Sequence, residues 1–214
     1  MSCWSADYAT KAYLRTLKMG ERGKEPDVTE FISALAAGNN AQLMVMVCAS
    51  IAGATTLALV AAAHQTGGRV VCILSGLEEL HASKKALGHY AKWVEFVIGD
   101  ARTLLLDANK GADFVLIDCD INDHKGVFLA AQKVAKHERA IIVGYNALHK
   151  GSWWTELKTH FLPIGEGLLV TRIAATDMVG GGQKRSRWVV AIDKFTGEEH
   201  VFRVTSPQRK QIET

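Results

Sequence analysis

The sequence predicts an α/β protein: a doubly wound parallel sheet, preceded by two helices and followed by an antiparallel hairpin. Three observations predict it. From Leu43 to Gly144, short strand-like runs alternate with helix-like segments, the pattern of a parallel sheet covered on both faces. In Gly111-Ala112-Asp113-Phe114-Val115-Leu116-Ile117-Asp118-Cys119-Asp120 an apolar run leads straight into two carboxylates, which reads as a buried strand with an acidic tip. Finally, the 21 uncharged residues Leu43 to Ala63 are long enough to cross a bilayer as one helix. They divide instead into a strand-like Leu43–Cys48, a turn at Ala49-Ser50-Ile51-Ala52-Gly53 and a helical Ala54–His64. No membrane span is expected.

Taken in order, Ser5 caps a first helix through Lys18, with Tyr13, Leu14 and Leu17 on one face and Gly20 ending it. Asp27-Val28-Thr29-Glu30 has the form of a capping box and opens a second helix that Gly38 stops. The alternation that follows reads strand 43–48, helix 54–65, strand 69–74, helix 78–90, strand 93–98, helix 101–109, strand 113–118, helix 123–137 and strand 139–144. Beyond a polar loop, Gly167–Ile173 and Arg187–Asp193 read as an antiparallel pair on the sheet edge, with a short strand at His200–Val204 after them.

Composition sets the frame. With 214 residues, 48% hydrophobic and 22% charged, the chain has the balance of an ordinary globular protein, and no Pro- or Ser-rich linker divides it. One domain over 1–214 is expected, with 1–40 as N-terminal helices and 175–214 as a hairpin extension. A formal charge of +3 is too small to argue for nucleic acid by itself. The basic cluster Lys184-Arg185-Ser186-Arg187 comes without the aromatic pattern of an RNA-binding motif. Cys3, Cys48, Cys72 and Cys119 show no C-x-x-C spacing, and the N-terminus has no signal-peptide pattern. Reduced thiols in a cytoplasmic protein follow as the expectation.

Ligands of open parallel sheets bind beyond the carboxyl ends of the strands, where Asp118 and Asp120 fall. Asp120 also suits a helix N-cap. Across from them lies Tyr145-Asn146-Ala147-Leu148-His149-Lys150, in which His149 beside a carboxylate has the pKa range of a general acid or base. A surface loop with an idle histidine has the same sequence. Cys119 between two aspartates is a poor nucleophile, because their charge opposes thiolate formation. Trp153-Trp154 would wall an aromatic pocket or pack on the sheet.

With these residues in place, the element order resembles that of class I S-adenosylmethionine (SAM)-dependent methyltransferases, a Rossmann-like fold. Val94-Glu95-Phe96-Val97-Ile98-Gly99-Asp100-Ala101 resembles the family's third strand, and Ala112 to Asp120 its fourth. D-F-V-L-I-D-C-D at 113–120, G-Y-N-A-L-H-K-G-S at 144–152 and L-P-I-G-E-G-L-L-V-T-R-I at 162–173 are similar to the plant caffeoyl-CoA O-methyltransferase-like branch. The opening M-S-C-W-S-A and A-T-K-A-Y-L at 9–14 resemble a plant methyltransferase-like family of unknown function.

The resemblance implies a SAM site at Ser50, Gly53, Gly99, Asp100, Ala101 and Asp120, with Asp118, His149 and Tyr145 as catalytic candidates. It also exposes departures. The acid and glycine of the family's first turn fall on Met44 and Met46, and the ribose-binding carboxylate after strand two falls on Leu74. Glu78 and Glu79 follow, where they suit a helix start. The branch's divalent-metal set shrinks to Asp118 and Asn146, weak ligands for Mg²⁺. His149 or Asp120 could instead complete a site for a softer metal; a divalent metal is not expected.

Three functions remain open. One is a methyltransferase acting on a small, phenolic plant metabolite. Another is a cofactor-independent enzyme on the same fold, using acid–base chemistry for cyclisation, isomerisation or elimination. The third is a non-catalytic binding protein. A small-molecule ligand is expected in each, nucleic acid and membrane are not, and a homodimer is compatible with the sequence.

Overall fold

The computed structural model describes residues 4–20, 27–107, 110–135, 140–148, 150 and 159–173 with their side chains, and the backbone of 186–192 and 199–205. Met1–Ala175 and Thr176–Thr214 form two compact units.

The first unit opens with α1 (Ala6–Met19), where the Ser5 side chain accepts from the Tyr8 backbone N–H at 3.2 Å. In α2 (Val28–Gly38) the capping box is formed, with the Asp27 backbone N–H donating to Glu30 at 2.8 Å. Gly38 is the last residue of that helix rather than the residue after it, and Asn39 caps it.

Five parallel strands follow: β1 (Leu43–Val47), β2 (Arg69–Leu74), β3 (Val94–Ile98), β4 (Phe114–Asp118) and β5 (Ile141–Tyr145). Between them run α3 (Ala54–Thr66), α4 (Leu77–Leu87), α5 (Ala101–Asp107) and α6 (His124–Val134). The uncharged run from Leu43 therefore does split into strand, turn and helix. Helix α4 is shorter than the sequence suggests, because Gly88 takes φ +54° and the chain continues as a 3-10 turn through Trp93. Among the described residues, no helix is long and apolar enough to cross a membrane.

Alternation along each central strand fills two cores. Met44 and Met46 face one of them with Ile32, Leu59, Phe114 and Leu116. Val45 and Val47 face the other with Leu105, Val127, Phe128 and Ile117. Both faces of β1 are buried by helices, so a charge-free strand is what the position demands.

The sheet has seven strands in the order β3-β2-β1-β4-β5-β7-β6, where β6 is Thr159–Leu162 and β7 is Leu168–Arg172. β7 runs antiparallel to both β5 and β6. The sequence reading missed β6, a four-residue strand with no alternation of its own, and gave β7 the wrong partner. β8 (Ser186–Ile192) pairs with β9 (Glu199–Thr205) as an antiparallel hairpin in the second unit. The C-terminal hairpin exists, but residues 167–173 are not part of it.

Candidate functional site

Strand order reverses between β1 and β4, and at such a switch point the loops diverge and leave a crevice. On the β1 side the loop Cys48–Gly53 is held by Ser83 of α4, whose hydroxyl accepts from the Ala52 backbone N–H at 2.9 Å. The Ala49 N–H points across the switch point to Asp118 Oδ2 at 3.4 Å. On the β5 side, Ala147 and Leu148 donate backbone N–H groups to Gly167 and Glu166 at 3.1 and 2.8 Å. Asn146 between strand and loop takes φ +57°, a left-handed conformation that asparagine tolerates better than most residues.

These constraints gather three of the predicted loop side chains, Tyr145, Asn146 and Lys150, around the carboxylate pair Asp118 and Asp120. Asp118, 8% exposed, accepts on Oδ1 from Asn146 Nδ2 at 3.1 Å and from the Asp120 backbone N–H at 3.0 Å. Its Oδ2 accepts from the Tyr145 hydroxyl at 3.0 Å. Asp120 Oδ2 accepts from the same Asn146 amide at 3.2 Å, and Asp120 Oδ1 lies 2.7 Å from Lys150 Nζ. Asp120 is therefore a partner in the cluster and not a helix cap; Asp123 caps α6, accepting from the Gly126 N–H at 3.2 Å. His149 lies outside the described residues, as do Trp153 and Trp154.

The electrostatics of the cluster fix several protonation states. Burial, then the Asp118 charge, pushes the Tyr145 hydroxyl well above its ordinary range, so it stays protonated as a donor. Burial first and Asp118 second push the Cys119 thiol up to about 12. The aspartate charge named from the sequence is thus the smaller cause, and desolvation the larger. The hydrogen bond to Asp120 raises the Lys150 ammonium above its usual value. Cys48, Cys72 and Cys119 are free thiols.

Beside the cluster, at the carboxyl ends of β1, β2 and β3, lies a cavity of about 410 Å³, within the usual size of small-molecule sites. Its lining includes Cys48, Leu74, Ser75, Gly99, Asp100 and Ala101. Gly99 has φ +151°, and a Cβ there would press on Leu104. Asp100 caps α5, with Oδ1 accepting from the Thr103 N–H and hydroxyl at 2.9 and 2.8 Å, and those bonds lower its pKa. Arg102 Nη1 meets Asp123 Oδ2 at 3.1 Å, and both residues line the cavity. The sequence reading passed over this pair; a basic residue next to the G-D-A strand end was the available signal.

Of the predicted cofactor residues, Gly99, Asp100 and Ala101 line this cavity, whereas Ser50, Gly53 and Asp120 do not. Gly53 lines a separate cavity of about 580 Å³ against α1 and α2. Met44 and Met46 are buried inside β1, so the turn after the strand is Cys48-Ala49-Ser50-Ile51-Ala52-Gly53. The alignment placing the acid and glycine on the methionines is corrected, though the true turn is still filled by side chains. Leu74 does stand at the tip of β2, 1% exposed and lining the cavity. Glu78 and Glu79 open α4. The cavity is thus bordered by the Gly99-Asp100-Ala101 turn on one side and by the apolar tip of β2 at Leu74 on another.

A divalent metal does not fit the donor set. Tyr145 is a protonated hydroxyl, Asn146 presents its NH₂ to both carboxylates, and Lys150 is a cation already seated on Asp120. Among the described residues, no group of three or more His, Cys, Asp or Glu side chains is placed to hold a metal ion.

Comparison with known proteins agrees with the fold. An O-methyltransferase from Bacillus cereus in complex with S-adenosylhomocysteine (SAH) is 16% identical, with a TM-score of 0.55 over 79% of this chain and 91% of that chain. The O-methyltransferase of tomaymycin synthesis from Streptomyces achromogenes, in complex with SAM, is 16% identical with a TM-score of 0.53 over 81% and 92%. A Staphylococcus aureus protein provisionally described as a caffeoyl-CoA O-methyltransferase is 17% identical with a TM-score of 0.57 over 79% and 93%. At such identities the likeness shows the shared Rossmann-like methyltransferase fold. No curated protein matches the chain. The family model described as "Protein of unknown function (DUF1442)" matches residues 1–204, so the chain belongs to the DUF1442 family.

Proposed function

We propose that the chain is a SAM-dependent methyltransferase-like enzyme that holds the nucleoside part of SAM beside Gly99, Asp100 and Ala101. The observation that carries this reading is the cavity at the carboxyl ends of β1 to β3, in a sheet shared with O-methyltransferases in complex with SAH and SAM. Leu74 provides no charged acceptor for the ribose hydroxyls. Losing such a partner costs about 1.5–3 kcal/mol, roughly tenfold to a hundredfold in affinity, so binding is weak.

The acceptor in this proposal is a small, phenolic plant metabolite, supported by the resemblance of 113–120, 144–152 and 162–173 to the plant branch. Its hydroxyl approaches the Asp120–Lys150 side of the crevice, and His149 assists its deprotonation. Isothermal titration of the purified chain with SAM and SAH tests the cofactor half. Saturable binding weaker than about 1 μM is expected; no heat with either ligand removes the proposal. Replacing His149 with Gln lowers turnover about a hundredfold or more with Tm nearly unchanged, as loss of general acid–base assistance requires.

The apolar tip at Leu74 favours one second reading, a cofactor-independent enzyme using the same crevice. Tyr145 would then serve as a neutral hydrogen-bond donor, because its burial keeps it protonated. Turnover of a phenolic substrate without added SAM distinguishes the two.

A further inference from the structure

Asp118 and Asp120 bring four carboxylate oxygens together, and the protein supplies a partner to each one. Asp118 Oδ1 has Asn146 and the Asp120 N–H; Oδ2 has Tyr145 and the Ala49 N–H. Asp120 Oδ2 has Asn146, and Oδ1 has Lys150. The amide orientation of Asn146 follows from its neighbours, since its oxygen would face two carboxylates if the group were turned over. A divalent ion on Asp118 would need those same lone pairs, and holding it with Asn146 and Asp120 as well would take a reversed amide and a displaced ammonium.

We infer that Lys150 is the built-in cation of this site: its ammonium sits on Asp120, beside the Asp118–Asn146 pair to which the resemblance assigns a divalent ion. The charge of the crevice is therefore set by the fold and not by a dissociable metal. This goes beyond the SAM proposal and does not depend on it, because it concerns only Asp118, Asp120, Tyr145, Asn146 and Lys150.

Lys150 also narrows the ligand class. Lys150 and Asn146 line a cavity of about 230 Å³ with Asp120, Leu148 and Glu166. An ammonium has three donors and one is engaged by Asp120, which leaves donors for an incoming oxygen. A metal chelates two adjacent oxygens of a ligand, whereas each ammonium N–H donates to one oxygen independently of the others. The site thus takes a ligand through a single hydroxyl, phenolate or carbonyl oxygen and does not require a vicinal pair.

Binding of Mn²⁺ to the full chain, followed by electron paramagnetic resonance and by melting with and without chelator, tests this. Wild type is expected to show no saturable Mn²⁺ binding and the same Tm in Mn²⁺ and in chelator. Lys150→Asp, which puts a third carboxylate beside Asp118 and Asp120, is expected to bind one Mn²⁺ at least about tenfold more tightly than wild type and to melt higher in its presence. A wild-type Mn²⁺ site that Asp118→Asn abolishes would overturn the inference. So would a folded Lys150→Asp that binds no better than wild type. If Lys150→Asp does not fold, Lys150→Met must gain Mn²⁺ binding over wild type, and its failure to do so overturns the inference equally.

Discussion

The Tyr145 hydroxyl donates to Asp118 Oδ2 at 3.0 Å, joining the tips of two adjacent parallel strands through side chains 27 positions apart. Replacing Tyr145 with Phe leaves that oxygen with only the longer Ala49 N–H contact. A hydrogen bond to a buried charged group is worth about 1.5–3 kcal/mol. A Tm lower by several degrees is expected in a thermal melt, and an unchanged Tm would mean that the bond contributes nothing.

The same residue makes stability depend on alkaline pH. Its folded pKa is raised, so its contribution is complete below the unfolded value of about 10 and is lost as pH rises above it. Denaturant unfolding at pH 9 and pH 11 should show a smaller drop in Tyr145→Phe than in wild type. Equal drops would show that other groups carry the alkaline loss.

Cys119 should resist alkylation. Its thiol is pushed up to about 12 and its side chain is 1% exposed, so at pH 8 almost no accessible thiolate exists. Mass spectrometry after iodoacetamide treatment should find Cys119 unmodified in the folded chain and modified in denaturant. Rapid labelling of the native protein would contradict this.

Gly144 in β5 is required by Cys119. A Cβ at Gly144 would lie 2.9 Å from the Cys119 sulfur, so Gly144→Ala overpacks the site at a cost of about 1–3 kcal/mol. Adding Cys119→Ala removes the obstructing atom and should recover most of the lost Tm. A double variant no more stable than Gly144→Ala would place the strain elsewhere.

Leu74→Asp puts a carboxylate at the tip of β2, inside the cavity lined by Gly99, Asp100 and Ala101. Isothermal titration should show SAM binding tighter by about tenfold or more, together with a lower Tm because a buried leucine is lost. Unchanged affinity in the folded variant would separate the ribose position from this strand tip.

Much of this protein is legible without a structure. Ser5, the Asp27–Glu30 box and the apolar runs of β1, β2 and β4 act over a few residues, so their helices and strands follow from local sequence. The acidic tip at Asp118 was equally visible, since a buried strand ending in carboxylates is a short-range pattern. Tertiary structure decided the rest. Only the register of β5 against β4 brings Tyr145 and Asn146 onto Asp118, and only the loop pinned to Glu166 and Gly167 carries Lys150 to Asp120. Chain pairing also decided that Leu168–Arg172 joins β5 and β6 while β8 closes on β9. Propensity acts between near neighbours, whereas hydrogen-bond partners and strand order depend on which distant segments the two cores press together.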